Sequence, residues 1–170
     1  MYSLNVPLPP AVRDLVREVR PALAGFRRVR GVREATLVCK RLDAADRREY
    51  LDASRAARDA LRGAPAFEAR IAGVGVFDEP AAGPGPLVYL AVESPGLVRV
   101  HESLVADLGA VEGIEGDDYV PHVTLARDGP PRAVRRVREL DLDPVTWAVE
   151  ALEFYDADHR ERVEVVGLPA

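Results

Sequence analysis

The sequence is short of the residues that staple small folds together. It has one cysteine, Cys39, which excludes an internal disulfide framework. Its three histidines, at 101, 122 and 159, are scattered and offer no metal-ligand spacing. No apolar run approaches the roughly 20 residues that span a bilayer. The opening "MYSLNVPLPP" has neither a basic leader nor a hydrophobic stretch of signal length, so a cytoplasmic protein without a membrane partner is expected. Positive charge is also in deficit. The net charge of −5 argues against a general polyanion binder and against DNA sequence recognition, while leaving room for a local basic cleft. All but one of the 23 basic residues are arginine, Lys40 being the exception; with the abundant alanine this points to a high-GC genome more than to a function.

What is present is the composition of a folded domain. Apolar content of 48% and charged content of 30% are those of a soluble globular chain. At 170 residues it is expected to form one domain, monomeric, with a core that needs no disulfide or metal.

Apolar periodicity gives the expected elements. Residues 2–8 alternate like a strand, and 9–23 carry Val12, Leu15, Val16 and Val19 at helical spacing behind a proline start. A strand is expected over 34–40, an aspartate-capped helix over 43–63, and a strand over 66–77 before the loop "DEPAAGPGP". The order then restarts, with a strand at 86–94, a helix at 95–109, a strand at 121–127 and a short helix at 130–140. Residues 145–167 look like one hairpin turning near Asp156 to His159.

Two short motifs stand out. In "YVPHVTLARDG" (119–129) strand alternation puts His122 and Thr124 on one face, with Val123 and Leu125 on the other. In "EATLVCK" Thr36 takes the matching place, and only a residue two away shares its strand face, which is Glu34. Thr36 lies 34 residues after Tyr2 and Thr124 lies 35 after Tyr89. The chain therefore reads as a divergent duplication, approximately 1–80 and 86–170 with intertwined lobes. The expected architecture is α+β and bilobal, with pseudo-twofold strand–helix–strand units around a central cleft.

The proline-preceded His-x-Thr-Leu motif and its flanks ("FEARIAGVGVF", a proline-rich loop, "LVYLAVES", a helix, "PHVTLAR") resemble the 2H phosphoesterase superfamily. The likeness is to its 2′-5′ RNA ligase-like branch, which includes RNA 2′,3′-cyclic phosphodiesterases. Members pair two His-x-Thr/Ser motifs across a metal-free cleft. The resemblance implies no cofactor, an RNA end or nucleotide as substrate, and site roles for Thr36, His122 and Thr124. Glu34 stands where the first-motif histidine would be.

Opening a cyclic phosphate takes a base to activate water and an acid to protonate the departing ribose oxygen, and histidine suits both. Threonine hydroxyls can donate to phosphoryl oxygens. A carboxylate in one of these places has two readings. Repulsion of about 4 kcal/mol from a phosphate charge at 4 Å, at an effective dielectric near 20, would push the Glu34 pKa up towards neutrality when phosphate binds and make it a general acid beside His122. Alternatively it repels phosphate, and the chain is a catalytically silent RNA- or nucleotide-binding protein.

The remaining polar residues have plainer readings beside the functional ones. Arg127 ends the motif strand within reach of a phosphate, and Tyr119 could stack on a base or belong to the core. Arginines 27, 28, 30 and 33, and 132, 135, 136 and 138, could flank a cleft, although solvated faces explain them more simply. His101 falls on an apolar helical stripe as a packing residue, His159 in an exposed turn, and Cys39 reads as a buried inert thiol.

Overall fold

The computed structural model describes residues 1–170. Its chain order is β1 (Tyr2–Val6), α1 (Pro10–Val19), β2 (Arg28–Val29), β3 (Leu37–Leu42), α2 (Arg47–Ala60), β4 (Phe67–Phe77), β5 (Leu87–Glu93), α3 (Pro95–Leu108), β6 (His122–Arg127), α4 (Pro131–Arg138), β7 (Val145–Val149), β8 (Ala151–Asp156) and β9 (Glu161–Gly167). Local sequence explains the helix starts. Pro10, Pro95 and Pro131 each sit in a first turn, where the missing N–H costs nothing. Asp46 caps α2 by accepting from the Glu49 N–H, and Ser94 caps α3 by accepting from Leu97. The α2 cap lies three residues beyond the expected helix start at 43, because Asp43 to Ala45 remain outside the helix.

All nine strands join one antiparallel sheet in the order β7-β4-β5-β6-β3-β1-β8-β9, with β2 added on β6. The fold is α+β. The two motif strands are central neighbours, with three strands outside each of them. Helices α2 and α3 pack on β3, and α3 and α4 on β4. Leu37, Cys39, Val123 and Leu125 are essentially fully buried in this core.

Two expectations need correction. The C-terminal segment is not one hairpin. The chain breaks at Glu150, β7 pairs with β4 at one sheet edge, and only β8 and β9 form a hairpin, at the opposite edge. The turn and the β8–β9 pairing are as expected, but alternation does not register the break at Glu150 that sends β7 to another partner. The tyrosines used to align the two halves also differ in register. Tyr89 lies opposite Thr124, whereas Tyr2 lies opposite Leu42, at the far end of β3 from Thr36.

Candidate functional site

The site begins where β3 and β6 meet. They share a single pairing, Leu37 with Val123, and β6 then turns its edge to β2 through Arg127–Arg28 and Ala126–Val29. Leu37 and Val123 are fully buried, whereas Thr36, just before β3, and Thr124, next to Val123 on β6, are half-buried and open to the cleft. The strands are barely joined here, and two adjoining cavities open along this face. One is lined by Thr36, Val38, Asn5, Arg41 and Arg160. The other is lined by Thr124, Arg28, Arg127 and the Ala82–Pro84 loop. Arg30 and Glu34 line both.

His122 lies on the same face of β6 as Thr124 but is not among the residues lining either cavity. Its Nδ1 lies 2.6 Å from the Val120 carbonyl, which makes Nδ1–H the donor and leaves Nε2 with a free lone pair. Phe77 and Tyr89 meet its ring edge-on, each with centroids 5.4 Å away, and stack on each other at 4.3 Å. Burial among these rings lowers the His122 pKa; the Val120 carbonyl opposes this, and Arg41 and Arg127 add to the lowering. His122 is therefore a neutral imidazole at pH 7. Gly75 makes the aromatic wall possible, because a Cβ there would come within 2.3 Å of the Tyr89 ring.

Glu34 lies in the cleft but not on the strand. It ends a 3-10 turn, Val32–Glu34, and β3 begins only at Leu37, so the parity argument that placed it beside Thr36 does not hold. The turn forms because the Gly31 N–H donates to Glu34 Oε2 at 2.9 Å, and Oε1 pairs with Arg160 at 2.7 Å. The Gly31 N–H first, then Arg160, hold the Glu34 carboxyl below its ordinary range against a smaller cost of burial. The unliganded protein therefore holds Glu34 as a carboxylate, and a proton on it would have to come with the bound phosphate.

Arg127 lines the Thr124 cavity and also holds the proline-rich loop, donating to the carbonyls of Ala82 at 2.7 Å and Pro84 at 3.3 Å. Tyr119 is placed elsewhere. Its ring stacks on His101 at 3.7 Å and its hydroxyl donates to the Val38 carbonyl at 2.8 Å, so it lines neither cavity and the base-stacking expectation is corrected. The rings beside His122 are the half-buried Phe77 and Tyr89, which the sequence marks only as strand residues.

His101 is the packing residue expected, with Nδ1 donating to the Cys39 carbonyl at 2.7 Å and Nε2 accepting from the Gly116 N–H at 2.9 Å. Cys39 is fully buried and its thiol is pushed up by burial. His159 sits in the β8–β9 turn and pairs with Asp156. Among the arginines, 28 and 30 line the cleft, whereas 132, 135, 136 and 138 lie exposed on α4 and line neither cavity. Arg41 and Arg160 are cleft residues that no motif pointed to.

A family model described as the 2′-5′ RNA ligase superfamily matches residues 40–161, well over half of the chain. The chain belongs to the 2′-5′ RNA ligase superfamily. The matched span includes His122 and Thr124 but stops short of Glu34 and Thr36. Solved structures share the fold over nearly the whole length. TT0787 of Thermus thermophilus is similar with a TM-score of 0.66 and 25% identity, covering 98% of this chain and 94% of that one. The LigT of E. coli, in complex with 3′-AMP, gives 0.66 and 17%, covering 98% and 96%. A further phosphoesterase gives 0.68 and 16%, covering 98% and 97%. Comparison with curated proteins found no match.

Proposed function

We propose that the chain is a metal-independent phosphodiesterase acting on 2′,3′-cyclic phosphate or 2′-5′-linked RNA or nucleotide ends, slowed by the replacement of the first-motif histidine by Glu34. One observation carries the proposal: Thr36 and Thr124 line adjoining cavities that share Arg30 and Glu34, and His122, with its Nδ1–H fixed on Val120, lies two residues before Thr124 on the same face of β6. Superfamily membership supports phosphodiesterase-type chemistry, and the LigT structures with 3′-AMP, ATP and NADP+ make a nucleotide a reasonable ligand.

In this reading His122 Nε2 takes a proton from water as its oxygen bonds to phosphorus. The bond from phosphorus to one ribose oxygen breaks, and that oxygen takes its proton from solvent, since no second histidine faces it. The Thr36 and Thr124 hydroxyls donate to the phosphoryl oxygens, and Arg127 with Arg30 offsets their charge. These donors and His122 carry the chemistry without calling on a metal ion.

The Glu34–Arg160 pair favours a second reading, a nucleotide-binding protein without turnover, because an ionised Glu34 has no proton to give. The deciding experiment is a turnover assay on a 2′,3′-cyclic mononucleotide and a cyclic-phosphate-ended RNA, in excess chelator. The phosphodiesterase reading expects slow hydrolysis that His122→Ala reduces by about 10²–10⁴-fold. Saturable binding with no turnover above background would leave the second reading.

A further inference from the structure

The Thr36 side of the cleft carries no histidine, yet it is rich in positive charge. Arg30, Arg41 and Arg160 converge on the cavity beside Thr36, and Glu34 is the only carboxylate lining it. Arg160 reaches this place from far away in sequence. It is the last residue of the β8–β9 turn, with a φ of 56°, and its side chain lines the cleft. Its guanidinium meets Glu34 at 2.7 Å while 71% of the side chain stays exposed.

An ion pair this exposed contributes little to stability. Glu34, however, is 31% exposed and anchored at its other oxygen by the Gly31 N–H, so it is a fixed post rather than a free partner. An arginine fork with one edge on a carboxylate still has donors to present elsewhere.

We infer that Arg160, oriented by Glu34, is the cationic contact for an anionic phosphoryl group on the Thr36 side of the cleft. Glu34 is then a positioning residue. The pair supplies, as a permanently charged guanidinium, the positive charge that a protonated imidazole would bring only at acid pH. This rests on the reading of the cleft as a phosphate site, and it gives a role to the residue that breaks the family motif. It also predicts that ligands ending in a phosphate or cyclic phosphate are preferred over the same nucleoside without one.

The test is calorimetric binding of adenosine 3′-monophosphate, with Thr124→Ala as a reference for the cleft itself. Arg160→Ala should weaken binding about tenfold, and Arg160→Lys should recover part of the loss, since it keeps the charge but not the fork. The double-mutant cycle with Glu34→Gln is decisive. With Arg160 present, Glu34→Gln should weaken binding about threefold by releasing the guanidinium. In the Arg160→Ala background the same change should strengthen binding, because only repulsion is then removed. A purely structural Glu34 would show no such reversal of sign. If Glu34→Gln strengthens binding in both backgrounds, Glu34 only repels phosphate and the inference is overturned. If Thr124→Ala weakens binding and Arg160→Ala does not, the assignment of Arg160 fails while the phosphate site stands. If both are silent, the phosphate reading falls and the inference falls with it.

Discussion

A neutral His122 has consequences for pH at the level of single residues. If Nε2 is the base, kcat/KM should fall on the acid side with a midpoint below the ordinary histidine value of about 6.5, because burial lowers its pKa. A pH–rate profile with its acid limb above pH 7 would contradict this. His101 should show itself in stability. Burial lowers its pKa too, against the opposing Cys39 carbonyl, and protonating Nε2 would break the bond from Gly116. Both histidines have folded-state pKa values below the unfolded one, so their contribution is complete above about pH 6.5 and is lost as pH falls through the lowered values. Urea midpoints should therefore drop between pH 7 and pH 5, and His101→Gln should flatten that part of the curve. A second residue-scale feature is the buried pair of Lys40 and Glu115, 3% and 1% exposed and 2.7 Å apart. Burial pushes the Glu115 carboxyl up, but hydrogen bonds from Lys40 and from the Arg41 and Val111 N–H groups outweigh it and hold it low. Lys40→Met would strand that carboxylate and should cost about 3–5 kcal/mol in chemical denaturation. The sequence offered Lys40 only as the lone lysine; its partner lies 75 residues away, and nothing local marks it.

At the level of elements, the second motif was legible and the first only in part. "HVTL" alternates, so His122 and Thr124 fell on the open face of β6 as period two requires, before the register shifts at Leu125 and Ala126. "REAT" was read with the same period, but Gly31 and Glu34 close a 3-10 turn through a side-chain bond to the backbone, a local competition with strand that alternation does not register. The C-terminal hairpin turns where expected, but β7 does not belong to its first arm, and Arg160's place over the cleft follows from β8 lying beside β1, which no local pattern marks. The aromatic wall was missed because it is assembled across the β4–β5 pairing, with Gly75 opposite Tyr89. That pairing makes an element-scale prediction. Gly75→Ala should displace the Tyr89 ring and expose His122, raising its pKa towards the ordinary value and moving the acid limb of the rate profile upwards, with β4 otherwise intact. An unchanged His122 titration by NMR would show that the wall does not set its pKa.

Across the whole molecule, a net charge of −5 surrounds a cleft that gathers Arg28, Arg30, Arg41, Arg127 and Arg160 against Glu34. Such a distribution concentrates a small anion in the cleft while disfavouring long polyanions elsewhere on the surface. An RNA ending in a 3′-phosphate should accordingly bind at least about tenfold more tightly than the same RNA with a 3′-hydroxyl, and lengthening the chain should add little. Equal affinity for the two ends, measured by filter binding at one salt concentration, would contradict it. The central claim is that one phosphoryl group sits between the two motif strands. A crystal structure of the protein with adenosine 3′-monophosphate tests this most directly. The account predicts the phosphate bonded to the hydroxyls of both Thr36 and Thr124, with His122 Nε2 facing it. A nucleotide whose phosphate lies away from both threonines would contradict the account.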